Sequence, residues 1–208
     1  SYGACYYPWV LIKDTISGAS LWAPPSVAAL GVLASSQKRT ELWFAPAGFT
    51  RGGLTEGAAG IPVIGINERL TSDQRDKLYA ANINPIATFP AEGIVIFGQK
   101  TLQVTQSALD RINVRRMMNF IKKRISKIAS TTLFEQNVVA TWNNFLGKVN
   151  PFLEGIQIGL GLAEFKVVLD QTTTTPDLID RNIMYCKIFL KPVRAIEFIA
   201  IDFTITDS

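Results

Sequence analysis

Residues 110–130 read DRINVRRMMNFIKKRISKIAS, and the rest of the chain is arranged around this stretch. Between Arg111 and Lys127 it holds seven basic residues (Arg111, Arg115, Arg116, Lys122, Lys123, Arg124 and Lys127) and no acid, while Val114, Met117, Met118, Ile121, Ile125 and Ile128 recur at helical spacing. At about 100° per residue the six apolar positions fall within about 100° of arc, with Arg115, Arg116, Lys122, Lys123 and Lys127 on the opposite side. Ser107 and Asp110 resemble a capping box, which predicts a helix start near Ala108. One face of such a helix packs and the other is a cationic stripe.

That stripe carries the charge of the whole chain. There are 21 Lys and Arg against 17 Asp and Glu, a net of +4; without the seven in this helix, 14 bases remain against 17 acids, so the remainder is about −3. A charge confined to one element points to a local acidic partner. The plainer alternative is a solvated helix face.

The chain has 208 residues, 48% of them hydrophobic and 18% charged, enough to bury a sizeable core in one domain or in one domain with an arm. No run of 18 apolar residues occurs and the first ten, SYGACYYPWV, lack the basic then apolar pattern of a signal peptide. The absence of an initiator Met and a start directly in strand-like sequence suggest a piece of a longer chain. Cys5 and Cys186 lie in apolar surroundings far apart in sequence, which predicts buried free thiols and an intracellular folding compartment. There is no histidine. His-based acid–base catalysis, Ser-His-Asp and Cys-His arrangements and nearly all zinc sites are thereby removed, and no metal, cofactor or catalytic residue is expected.

Along the chain, residues 6–12 (YYPWVLI) read as a strand limited by Pro8 to an edge or a strand start. KDTISGAS turns, and Ser26 is placed to cap a short buried helix over 27–35. Residues 41–45 (ELWFA) read as a short strand before a Gly-rich loop. Thr71 and Gln74 form a second capping-box signal, for a helix over about residues 72–81 ending at Asn82, and residues 83–89 and 93–97 read as buried strands. A helix over 133–148 has Phe134, Val138, Trp142, Phe145 and Val149 on its apolar face; Asn150-Pro151 is expected to break it and restart a shorter one. Strands follow over 164–170, 184–190 and 196–205, with a helical turn at Pro176. The pattern predicts an α/β (α+β) fold, a mixed β-sheet flanked by helices, divided as a domain over 1–190 and a C-terminal strand or arm over 191–208.

Motifs for chemistry are weak. Gly159-Leu160-Gly161 lacks the third glycine of a dinucleotide fingerprint and precedes a strand, and the acids Asp177 and Asp180 read as solvent-facing. The last segment, AIEFIAIDFTIT, is more informative. Ile196 and Phe198 fall on one face and Ile199, Ile201, Phe203 and Ile205 on the other, and a strand apolar on both faces must be covered on both. Either it is an ordinary central strand, or it leaves its own fold to pair with an edge on another subunit.

Several blocks, in order, carry a family resemblance: YYPW (6–9), APPS (23–26), WFAPAG (43–48), INPI (83–86), GIVIFG (93–98) with Lys100-Thr101-Leu102, INVRR (112–116), FEQN (134–137) with Trp142, and PFL (151–153). With them the sequence resembles the C-terminal half of contractile tail sheath proteins, which form the outer sleeve of T4-like bacteriophage tails and related injection machines. Lys100 stands where the family usually has Arg and Glu41 where it often has Gly, and similarity loosens beyond Asp170.

The resemblance implies an α/β inner domain stacked in six-fold rings around an inner tail tube. Terminal strands pass into neighbouring subunits, and baseplate and tail terminator proteins stand as further partners. It also implies a place in the virion tail after assembly in the host cytoplasm, a structural and non-enzymatic role, and no nucleic-acid or membrane partner. On this view Arg115, Arg116, Lys122, Lys123 and Lys127 grip an acidic tube, and Ile196, Phe198, Ile199, Ile201, Phe203 and Ile205 form the inter-subunit strand; the helix around Trp142–Ile156, with Lys148, is the other candidate for the tube-facing element. The competing reading is a nucleic-acid-binding module using the basic helix 111–127 to track phosphates. Its basic face, however, has no interleaved aromatic residue except Phe120 near the margin.

Overall fold

A computed structural model describes residues 2–55 and 61–201. Strands β1 (Cys5–Tyr7), β2 (Val10–Lys13) and β3 (Ser20–Ala23) lead into helix α1 (Pro25–Arg39) and the short α2 (Gly48–Arg51). β4 (Val63–Ile66), α3 (Ser72–Ala80) and the hairpin β5 (Ile83–Phe89) and β6 (Gly93–Ile96) follow. Then come α4 (Ile112–Ser130), α5 (Val139–Ile158), β7 (Leu162–Val168), α6 (Pro176–Asp180) and β8 (Lys187–Pro192). The sheets are small. β1 runs parallel and β6 antiparallel to the central β5, giving the mixed sheet expected; β3, β2 and β4 form an antiparallel sheet; β7 and β8 form a two-stranded ribbon.

Two clusters of buried side chains hold these layers. Val10, Ala29, Val32, Leu54, Val63, Ile86 and Ile96 pack α1 against the two three-stranded sheets. Val114, Met117 and Ile121 of α4 pack against Trp142, Phe145, Val149, Leu153 and Ile156 of α5 and against Leu162 and Leu169. Trp43 bridges toward the second cluster. Its indole Nε1 donates to the Gly159 carbonyl at 2.6 Å, and its ring lies so close to the turn that a Cβ on Gly159 or Gly161 would stand 2.7 Å or 2.9 Å from it. The two glycines therefore serve packing.

Several local expectations are corrected. Residues 6–12 make two strands in different sheets, because Pro8 lacks an N–H and interrupts the ladder. Strands β3 and β4 lie in segments where none is expected. Residues 41–45 form a turn, since Trp43 is drawn out to the α5 end. α1 begins at Pro25 with Pro24 as N-cap, so Ser26 caps nothing; Pro suits the first helical position, where an N–H has no partner. Ser107 does accept a backbone bond, from Leu109 N–H at 3.1 Å, but it caps a single 3-10 turn, Ala108–Asp110, and the α-helix starts at Ile112.

α5 runs unbroken through Pro151, and Phe134 and Val138 precede it. β8 extends to Pro192, two residues into the segment assigned to the arm. Cys5 is exposed at the start of β1 and Cys186 is half-buried, so only their free state matches expectation. The capping box at Thr71 and Gln74 forms as predicted, with both reciprocal bonds present.

Candidate functional site

α4 is amphipathic over its whole length, yet its two halves meet different surroundings. At its entry Arg111 caps the helix from extended backbone, and its guanidinium clamps Glu197 through Nε to Oε1 at 2.7 Å and Nη2 to Oε2 at 2.9 Å, with Asp110 at 3.2 Å. Burial alone would lower the Arg111 guanidinium; the hydrogen bond and charge of Glu197 instead hold it above its ordinary value.

Arg115 is buried, with its guanidinium 4.4 Å from the centre of the Tyr2 ring and Nη2 donating to Gln103 at 3.4 Å. Arg116 is half-buried, and its Nη2 donates to the Leu33 carbonyl at 3.3 Å and to Gln37 at 3.0 Å, both on α1. Burial depresses its guanidinium, opposed by Tyr6, whose own phenol is pushed up to about 12 by burial against the pull of Arg116. The expectation that Arg115 and Arg116 stand on the solvent side is therefore corrected. α1 and residues near Gln103 cover the polar side of the first turns, so the helix is packed on both sides there.

Beyond Phe120 no described residue covers that side. Lys122, Lys123, Arg124 and Lys127 are all exposed, and among the described residues none pairs with a carboxylate. Arg124, placed outside the predicted set because it falls near the apolar margin of the wheel, belongs with these cations. Lys148, on α5, is also exposed.

Among the described residues, the exposed stretch of the C-terminal arm beyond β8 is anchored at Glu197. Glu197 keeps only 16% of its side chain exposed, held by Arg111 and by Gln99 Nε2 at 3.3 Å, whereas Ile196, Phe198, Ile199 and Ile201 are 83%, 81%, 78% and 67% exposed. These four belong to no strand among the described residues; Phe203 and Ile205 lie outside them. The one acid within the apolar residues 195–201 was the available signal for the anchor. Inward of the arm, the β7–β8 ribbon has no further strand on either outer edge among the described residues. Ile188 and Leu190 pack on the α4–α5 layer while Lys187, Phe189 and Lys191 face out.

Residues 104–206, which contain the basic helix, the ribbon and the arm, match the phage tail sheath C-terminal domain family. Over 195 residues, 94% of this chain, the sequence is 35% identical to the tail sheath protein of Vibrio phage KVP40, and over 193 residues, 93% of the chain, it is 33% identical to that of Enterobacteria phage T4. The chain belongs to the phage tail sheath family.

This sheath chain spans 28% of the length of each of those two relatives. Among solved structures it is similar to the PVC sheath complex of an extracellular contractile injection system in the contracted state, with a TM-score of 0.83 and 28% identity over 97% of this chain and 55% of that one. It is also similar to the helical sheath of the anti-feeding prophage in the contracted state, with a TM-score of 0.81 and 28% identity over the same shares. Neither comparison supports the nucleic-acid-binding alternative.

Proposed function

We propose that the chain is the C-terminal part of a sheath subunit that polymerises as stacked hexameric rings around an inner tube and contracts to drive that tube through a target envelope. The tube is gripped by Lys122, Lys123, Arg124 and Lys127, and the arm beyond Glu197 pairs with a free ribbon edge of a neighbouring copy. Baseplate and terminator proteins meet the ends of the sheath, which is assembled in the host cytoplasm as part of the virion tail. The role is structural and needs no catalytic residue.

The exposed arm carries this reading: Ile196, Phe198, Ile199 and Ile201 are exposed while Glu197 fixes its root. Strand pairing contributes roughly 1 kcal/mol per hydrogen bond and about 1.5–3 kcal/mol per large apolar side chain covered, enough to hold copies together through a rearrangement. Exposed ion pairs contribute about 1 kcal/mol or less each and are screened by salt, so a grip made of them can release.

Removing residues 196–208 from the natural full-length polypeptide tests the reading by electron microscopy. The expected result is a folded protein that forms no striated sheath. Regular sheaths from the truncated protein would contradict it.

A further inference from the structure

Phe134 lies in the loop between α4 and α5, as the third residue of a turn closed by the Glu135 N–H donating to the Thr132 carbonyl at 3.3 Å. Its φ is +69°. That place in a turn favours Gly or Asn, because a Cβ there crowds the backbone carbonyl and the short polar side chain of Asn offsets this by bonding locally. Two other left-handed positions comply, with Asn82 at 61° and Asn182 at 57°. Phe134 is also fully exposed, at 103%, beside Leu133, Val138 and Val139, which are 66%, 50% and 52% exposed. Neither backbone preference nor burial within the subunit accounts for an aromatic residue at this position. Strain held at an exposed apolar tip is a mark of a contact surface.

The other end of α5 repeats the signature. Leu160 has a φ of 64° and is 65% exposed, next to Ile158 at 83%. A helix of 20 residues separates the two tips by about 30 Å.

We propose that the Phe134 and Leu160 tips are contacts between copies of this chain, each tip seated on an apolar surface of a different neighbour. The proposal rests on the sheath reading above. A central rod lies to one side of a subunit and calls for one patch, whereas two patches at opposite ends of a helix suit an array in which every copy has a neighbour at each end. The tips are apolar, unlike the cationic surface of α4, so they belong with contacts that persist. The solved relatives, described as a sheath complex and a helical sheath, are themselves assemblies of this kind of subunit.

The test is Phe134→Asn in the natural full-length polypeptide, with Phe134→Leu beside it. Asn accepts the left-handed backbone, so the thermal midpoint of the unassembled subunit should rise by about 2 °C. The critical concentration for polymerisation should rise at least tenfold, and Phe134→Leu, which keeps an apolar tip, should restore most of the loss. An unchanged critical concentration for Phe134→Asn overturns the proposal, and so does a lowered midpoint, which would make Phe134 a residue the subunit needs for its own fold. Failure of the unsubstituted protein to polymerise would instead remove the sheath reading, and this inference with it.

Discussion

Arg115 and Arg116 in the first turns of α4, and Lys122, Lys123 and Lys127 farther along, belong to one cationic stripe, but the first pair is enclosed by Tyr2, Gln103 and α1 while the second group faces solvent. Charge on a helix wheel thus names candidates, and only the neighbouring elements decide which are free to meet a partner. A buried cation is committed to its own fold. An exposed one with no carboxylate beside it is available to another protein, at little cost to the subunit whether present or absent.

The comparison breaks most sharply at Arg116. Arg116→Glu places an acid against the Leu33 carbonyl and should destabilise the subunit by about 3 kcal/mol, read as a fall in the denaturation midpoint. A stable Arg116→Glu subunit would show that the first half of the stripe is as free as the second.

Alkaline pH probes the same buried neighbourhood. The folded state holds the Tyr6 proton up to about 12, against an ordinary value of 10.0, so the unfolded chain releases it first. Stability from this group is therefore complete below pH 10 and is lost as pH rises from about 10 towards 12, by on the order of 2 kcal/mol. Tyr6→Phe should flatten that part of the pH–stability curve, measured by denaturant titration.

A smaller effect is expected at the arm root. Glu197→Gln keeps the shape but removes the charge facing Arg111, and should cost about 1–2 kcal/mol and increase proteolysis of the arm. An unchanged cleavage rate would show that Glu197 does not fix the arm.

Much of this layout was legible in the sequence where local signals agree with tertiary demand. The Thr71 and Gln74 box, the Ile83–Phe89 and Gly93–Ile96 hairpin and the apolar seam of α4 each have a pattern that a single element can satisfy. The segment around Trp43 misled because its aromatic residues suit a strand, while what holds them is a turn of chain more than 100 positions away. Pro151 misled in the other direction, since the packing of Leu153 and Ile156 carries α5 past it. The burial of Arg115 and Arg116 was not legible, because it depends on Tyr2, Gln103 and α1, whose own sequences show no sign of where they dock. The arm was legible as apolar on both faces, but not its anchor.

The central claim is that the exposed cations of the far half of α4 are a grip on the tube and contribute nothing to the fold, which the apolar side of the same half supports through Ile121, Ile125 and Ile128. It is tested most directly by co-sedimentation of the full-length protein with preassembled inner tubes across a salt series, comparing the natural sequence with Lys122→Glu, Lys123→Glu and Lys127→Glu combined. The account predicts an unchanged denaturation midpoint, within about 0.5 kcal/mol per substitution, together with loss of tube binding at low salt, where the natural sequence binds and weakens as salt rises. Tube binding by the triple variant equal to that of the natural protein would contradict it.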